Sequence, residues 1–355
     1  MKIALITDTH WGVRSDSPLM LDCMKKFLDE HFFSYIDAHN ISCVAHLGDL
    51  VDRRKYININ TARRLREDFL DKLESRNLDV HIIAGNHDTY FKNTNNVNAL
   101  NELVRNQYPS FKIYDRFATP VEFDGVQIIM LPWLCDDNRD SNMRICNESN
   151  SQILFGHLEL SGFEMYRGGG ACHGDDPSLF NRFDIICSGH YHHRSSNGTV
   201  FYLGSPCEFT WSDFADPKGF HIFDTQTREL TFIKNPITMF DKIFYDDLNK
   251  TMDEILDFDP STYENKYLKV IVKNKVNPYW FDVMIEKIDK VGIAEMQVVE
   301  DHLNLNLEED TDIINEAEDT MTILRKYLNS MNPNADKNRV ESIVTNLYIK
   351  AQNIE

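Results

Sequence analysis

The sequence contains no apolar run long enough to span a bilayer, which excludes a helical integral membrane protein. Its first apolar stretch, Met1–Ile6, turns polar at Thr7-Asp8. That is too short for a signal peptide, so a cytoplasmic location is expected. The seven cysteines are odd in number, scattered, and include no C-x-x-C pair. A disulfide framework is therefore not expected, and the thiols read as small buried hydrophobes. Internal repeats and low-complexity tracts are missing. Basic residues are in deficit, with 37 Lys+Arg against 56 Asp+Glu and a net charge of −19. This argues against a protein that coats nucleic acid non-specifically. Nucleic acid stays open as a substrate, because a local patch or a bound metal can outweigh net charge. Histidine is nearly absent from the last third, since 12 of the 13 lie at or before His221. The chemistry is expected in the first two thirds.

What is present is an ordinary globular composition, 42% hydrophobic over 355 residues, sufficient for two or three domains. The chain begins in β-then-α order. Residues 2–7 read as a strand. Leu21, Met24, Leu28, Phe32 and Ile36 then recur at helical spacing within residues 19–39. A strand at 42–47, a helix at 61–76 and a strand at 80–84 follow. Beyond these lie short strands at 112–114, 127–131, 152–155, 184–187, 200–203, 219–223 and 230–233. Parallel strands with crossover helices, then an antiparallel run, predict an α/β fold of two face-packed sheets flanked by helices. Pro236 is expected to close that domain at residue 240. A β-α-β module over 241–305 follows. Residues 300–319, with nine acids and no Lys or Arg, then lead into two amphipathic helices within 306–355.

Five short segments each follow a predicted strand: Asp8-Thr9-His10, Gly48-Asp49-Leu50-Val51-Asp52, Gly85-Asn86-His87-Asp88, Gly156-His157 and Gly189-His190-Tyr191-His192. Strand ends are where open α/β sheets place ligands. Asp, Asn and His together suit Mn²⁺, Fe²⁺ or Zn²⁺. Asp8 and His10 are two apart, as are His190 and His192, so extended strands would aim both members of each pair one way. The glycines before Asp49, Asn86, His157 and His190 suit sharp turns. Singly, each segment is as well explained by a surface turn or a structural histidine. Together and in order they point to a two-metal hydrolase.

These segments in this order resemble the calcineurin-like metallophosphoesterases. Within them the chain is similar to the nuclease subunits of SbcCD-type double-strand-break repair complexes, especially the recombination endonuclease subunits of large phages. Thr7–Gly12, Leu131-Pro132-Trp133, Tyr202-Leu203-Gly204-Ser205-Pro206 and Asp216-Pro217-Lys218-Gly219-Phe220 add to the likeness. The resemblance implies two Mn²⁺ ions, with Mg²⁺, Fe²⁺ or Zn²⁺ as substitutes. Asp8, His10, Asp49 and His192 would hold the first. Asp49, Asn86, His157 and His190 would hold the second, with Asp49 bridging. His87 would face the scissile phosphate, and Asp88 would orient His87. Some cellular nucleases of this family carry a second histidine where this chain has Asp52.

The implied activity is a DNA nuclease, a 3'-to-5' exonuclease on duplex DNA and an endonuclease on single strands. The implied setting is a bacterial or phage-infected cell. The small module would be a capping, DNA-binding domain, and the C-terminal helices would bind an SMC-like ATPase of the SbcC type. A homodimer through helices of the N-terminal domain is implied, with Leu28 and Phe32 readable as seam or core. Arg53, Arg54, Lys55 and Tyr191 are candidate DNA contacts, and Arg63, Arg64 and Arg66 read as either a DNA contact or a solvated face. Two other readings stay open: a phosphatase or phosphodiesterase acting on phosphoprotein or small molecules, and a non-catalytic scaffold.

Overall fold

The computed structural model describes residues 1–168 and 172–300; the expected helix pair within 306–355 lies outside them. Residues 1–301 form one compact unit. Its first sheet contains β1 (Lys2–Ile6), β2 (Cys43–His46), β3 (Asp79–Ile83) and β4 (Lys112–Tyr114), all parallel. Its second sheet contains β5 (Thr119–Phe123), β6 (Val126–Leu131), β7 (Ile153–His157), β8 (Ile185–Gly189), β9 (Ser195–Ser196) and β10 (Val200–Tyr202). The strands β11 (Gly219–Asp224) and β12 (Leu230–Lys234) return to the first sheet, where β11 pairs antiparallel with β1. The orders are β12-β11-β1-β2-β3-β4 and β5-β6-β7-β8-β10-β9.

The alternation of side chains explains the layering. In β1, Ile3 and Leu5 face the second sheet and meet Ile128, Met130, Ile153 and Phe155. Ala4 and Ile6 face the other way, onto a helical layer carrying Phe27, Leu28, Phe32 and Phe69. Period-two strands buried on both faces give near-continuous apolar runs, as Val44-Ala45 and Ile82-Ile83 do. The outer face of the second sheet packs Ile129, Leu131, Leu154 and Ile186 against Phe180 and Phe183. This is the expected two-sheet α/β sandwich.

Two expectations are corrected. The second sheet is not an antiparallel run, because β6, β7, β8 and β10 are mutually parallel. Its crossovers run through a single ten-residue helix, Arg139–Glu148, and a short turn, Pro177–Phe180, too brief to leave a helical period in the sequence. The helix expected over 19–39 is continuous but not uniform. Leu28–Phe33 is wound as a π-helix between Pro18–Phe27 and Ser34–Ala38. That winding leaves Leu28 and Phe32 fully buried, so they belong to the core and not to a dimer seam.

The small module contains the expected β-α-β unit and one strand more. It holds three parallel strands, β13 (Phe240–Asp246), β14 (Tyr267–Asn274) and β15 (Glu295–Glu300), with the helix Pro278–Lys290 between the last two. The expected boundary at residue 240 falls on the first residue of β13. That junction is tied down by Glu208, which accepts hydrogen bonds from the Met239 and Phe240 amides at 2.7 and 3.0 Å. Arg14 spans it too, lying over the Tyr267 ring at 4.3 Å and pairing with Glu295 at 3.5 Å.

Candidate metal centre

The ends of β1, β2 and β3 lie side by side, and the ends of β7 and β8 face them across the sandwich. Beyond β1 the chain does not stay extended. Asp8 and His10 both adopt left-handed backbone, with φ of 51° and 42°. Asp49 and His190 do so as well, at 53° and 89°. Strand pleating is therefore not what makes Asp8 and His10 converge. They converge because each is turned inward by a conformation that costs a non-glycine residue of order 1 kcal/mol or more. Surrounding bonds hold the strain. The Asp8 and His10 amides donate to Gly48 and Asp49 carbonyls at 3.0 and 3.1 Å. Between them, the Thr9 hydroxyl sits 3.0 Å from Nε2 of buried His46.

Two glycines serve this packing differently. Gly48 needs its positive φ of 99°. Gly85 needs no unusual φ, but a Cβ there would lie 2.2 Å from Asp49 Oδ1. Close approach, not turning, is what requires glycine at position 85.

Seven side chains from five segments meet in the pocket. Asp8, His10 and His192 form one group of potential ligands, and Asp49, His157 and His190 form another. His10 and His192 present Nε2 atoms 3.0 Å apart. Asn86 Oδ1 lies 2.9 Å from both His157 Nε2 and His190 Nδ1. Asp49 stands between the groups, its Oδ2 lying 3.7 Å from His10 Nε2 and 3.3 Å from His157 Nε2. Both sheets contribute: Asp8, His10, Asp49 and Asn86 follow strands of the first, and His157, His190 and His192 close strands of the second. The Asp8 carboxylate also ties the sheets together by accepting from the His190 amide at 3.0 Å.

The electrostatics follow from packing carboxylates and imidazoles together out of water. Burial would depress His10 and His157, yet surrounding carboxylates hold both up at about 9; Asp52 and Asp49 act on His10, Asp49 and Asp8 on His157. Burial also raises Asp8, while Asp49 stays well below the usual range because His157, His87 and His10 outweigh its own burial. His190 is pushed down to about 3, by burial first and then by His157. The imidazoles around Asp49 thus favour its charged form, while burial works against that of Asp8. Nitrogen and oxygen donors of this kind, converging from three histidine-bearing loops, fit divalent transition ions. The outer bonds also select the donor atoms. His157 Nδ1 bonds to the Leu47 carbonyl at 2.8 Å, which leaves Nε2 to face the pocket.

His87 borders the pocket, its ring 4.8 Å from that of His10. Its Nδ1 bonds to the Asp52 main-chain carbonyl. The expectation that Asp88 orients His87 is corrected here. The Asp88 carboxylate accepts instead from the Val51 and Gly85 amides at 3.1 and 2.9 Å, and so shapes the loop that carries Asn86 and His87. Burial, then the charge of Asp49, raises this carboxyl to about 7.

The candidate DNA contacts divide. Tyr191 is fully buried and donates to the Leu160 carbonyl at 3.0 Å, so it is core and cannot reach DNA. Arg53 pairs with Asp16 at 2.7 Å. Arg54 stacks over Trp133 at 5.0 Å and bonds to Thr89 and the Phe91 carbonyl at 3.2 and 3.3 Å. Lys55 is exposed. On the following helix, Arg64 pairs with Asp22 and Asp68, while Arg63 and Arg66 pair with Glu67. All three are thus paired, Arg63 and Arg66 with about half of each side chain still exposed.

Two residues with supporting roles escape a reading of the sequence. Phe209 packs its ring 5.9 Å from both His10 and His192. Lys218, buried, donates to the His192 carbonyl at 2.8 Å while paired with Asp213 and Asp216 at 2.6 and 2.9 Å. The motif around Lys218 is visible in the sequence; nothing in it says which carbonyl the ammonium reaches.

A calcineurin-like phosphoesterase profile matches residues 1–194. The chain is 31% identical to exonuclease subunit 1 of Enterobacteria phage T4, over 99% of both chains. It is 25% identical to the D subunit of the SbcCD nuclease of Staphylococcus epidermidis, over 65% of this chain and 67% of that one. The corresponding SbcCD protein of Staphylococcus saprophyticus matches at the same identity and coverage.

Proposed function

The chain belongs to the calcineurin-like phosphoesterase family as a metal-dependent phosphodiesterase with nuclease relatives, and from that premise we propose that it is the Mn²⁺-dependent DNA nuclease subunit of an SbcCD-like recombination and repair complex. The observation that carries the reading is the place of Asp49, within 3.7 Å of a first-group histidine and 3.3 Å of a second-group one, where a single carboxylate can bridge two ions. In this proposal Asp8, His10, Asp49 and His192 hold one ion, and Asp49, Asn86, His157 and His190 hold the other. When bound, the ions supply Lewis acidity toward a phosphodiester and activate the attacking water.

The protein's own groups do the rest. His87, its Nδ1 held by the Asp52 carbonyl, turns Nε2 toward the substrate to meet the phosphate and give a proton to the leaving oxygen. Asp88 fixes the loop beneath it. Arg54, anchored on Trp133, and exposed Lys55 contact the DNA backbone beside the pocket, where such contacts position a duplex without reading its sequence. Full-length similarity to a phage exonuclease subunit supports DNA over phosphoprotein as the substrate, and supports an SbcC-type ATPase partner. Duplex exonuclease action from the 3' end and single-strand endonuclease action belong to this proposal. So does a homodimer through helices of this domain, with Tyr56 and Ile59, 64% and 89% exposed, as its candidate seam residues.

The test is cleavage of linear duplex and single-stranded DNA by the full-length chain with Mn²⁺, with Mg²⁺ and with chelator, beside His87→Ser. Mn²⁺-dependent cutting lost in the variant is the expected result. Turnover of a phosphopeptide in preference to DNA would overturn the substrate assignment.

A further inference from the structure

Asp52 stands where a second histidine occurs in some nucleases that the chain resembles, and the geometry around it gives it a different task. His10 is almost wholly buried, and its two ring nitrogens face opposite surroundings. Nε2 looks into the pocket, 3.0 Å from His192 Nε2 and 3.7 Å from Asp49 Oδ2. Nδ1 looks out of it, is buried, and makes no regular hydrogen bond among the described residues. The carboxylate of Asp52 lies 3.5 Å from it. A neutral imidazole that offers one nitrogen to a metal must carry its proton on the other. Leaving that buried N–H without an acceptor forfeits the hydrogen bond that water gave it before burial.

The main chain holds Asp52 in place for this. Its amide donates to the Trp11 carbonyl at 3.1 Å, one residue past His10, and the Trp11 amide donates back to Leu50 at 3.0 Å. The loop bearing His10 and the loop bearing Asp52 are therefore one laced unit. Two other pocket histidines are served differently. His157 uses the Leu47 carbonyl, and His190 faces Glu159 at 3.9 Å, a side chain that is 52% exposed. Of these three, His10 has the nearest carboxylate behind it, at 3.5 Å and less exposed than Glu159.

We propose that Asp52 is a positioning residue of the metal centre: its carboxylate accepts a hydrogen bond from Nδ1–H of His10 and so fixes the tautomer that presents Nε2 to the first ion, while its main-chain carbonyl holds the ring of His87. One residue then sets both a metal ligand and the phosphate-facing histidine. The inference rests on the two-metal reading above and can fail separately from it.

The test titrates Mn²⁺ into the chelator-stripped full-length chain by calorimetry, with paramagnetic resonance counting bound ions. The parent binds two. Asp52→Asn, which keeps shape and main chain, weakens one ion about 10–100-fold and leaves the other unchanged, the cost usual for losing a partner behind a metal-bound histidine. Asp52→Glu, which keeps a carboxylate within reach, recovers most of that loss. In a His10→Ala background, Asp52→Asn has no further effect on binding. Asp16→Asn removes a carboxylate from the same rim, one that bonds Thr61 and shares Arg53 with Asp52 but meets no ligand, and leaves both ions unchanged. Melting temperatures of the stripped proteins confirm that each is folded. Parental affinity for both ions in Asp52→Asn overturns the inference, as does an equal loss in Asp16→Asn, which would reduce the effect to charge alone. A parent that binds no pair of ions overturns the two-metal reading itself.

Discussion

His10 and His192 are 182 residues apart in sequence, and their Nε2 atoms meet at 3.0 Å in a pocket that solvent barely reaches. Two imidazoles so placed cannot both be neutral acceptors without something between them. In the metal-free protein the compensation is protonation, with His10 and His157 both held up at about 9. Those protons must leave before an ion can bind.

Proton release follows from this. Between pH 7 and pH 9, Mn²⁺ binding is expected to expel protons and to tighten as pH rises. The sign follows from the direction of the shift: both groups are raised, so the folded metal-free state holds protons that the loaded state cannot. Calorimetry in buffers of different ionisation enthalpy measures the number released. Binding enthalpies independent of buffer would contradict it.

His87→Ser should separate catalysis from metal binding. The ring stands close enough to His10 and Asp49 to form a third group of potential ligands with them, but its Nδ1 is tied to a main-chain carbonyl and it lies outside the Asp8–His10–His192 and Asp49–His157–His190 groups. Cleavage should fall about 10²–10⁴-fold, the usual worth of a positioned acid–base group. Mn²⁺ stoichiometry should stay that of the parent. Loss of an ion together with activity would make His87 a ligand instead.

Glu208 offers a stability prediction away from the metal pocket. Burial, opposed by the amides of Phe240 and Met239, raises its carboxyl from 4.5 to about 7. A folded-state value above the unfolded one stabilises most at low pH, and that stability drains away as pH rises from 4.5 through 7. Glutamine keeps an acceptor for the two amides and never ionises. Glu208→Gln should therefore match the parent near pH 4.5 and exceed it at about pH 8, by at most about 3 kcal/mol. Chemical denaturation at the two pH values measures the difference. A variant less stable at the higher pH would show that the carboxylate charge is used.

Ile59 tests the proposed homodimer. It is 89% exposed at the start of the helix Ile59–Leu65, where a lone monomer gains nothing from it. Ile59→Asp should convert a dimer to a monomer in sedimentation, with the melting temperature of the folded unit unchanged. An unaltered dimer would move the interface elsewhere.

The sequence is most legible where chemistry and strand ends coincide. The potential ligands stand out because a polar residue directly after an apolar run has few other reasons to be there. The strained backbone at Asp8, His10, Asp49 and His190 is not legible, since aspartate and histidine carry no local signal for positive φ as glycine does. Arg63, Arg64 and Arg66 look equally free in sequence, yet their partners Asp22, Glu67 and Asp68 are chosen by packing. Tyr191 sits inside the most informative motif of the chain and is still core, donating to the Leu160 carbonyl while His190 and His192 on either side of it enter the pocket. The parallel second sheet is hidden because its crossovers are short and irregular, and only the first sheet has helices long enough to show a period.

The division of the pocket between the two sheets has a consequence during synthesis. A ribosome that has released only the first four strands has made Asp8, His10, Asp49 and Asn86, and none of the three pocket histidines that complete the set. A truncated product ending anywhere before His192 therefore carries an incomplete centre, however well its first layer folds. Phosphodiester chemistry at this pocket is therefore open only after translation has passed the last of those histidines.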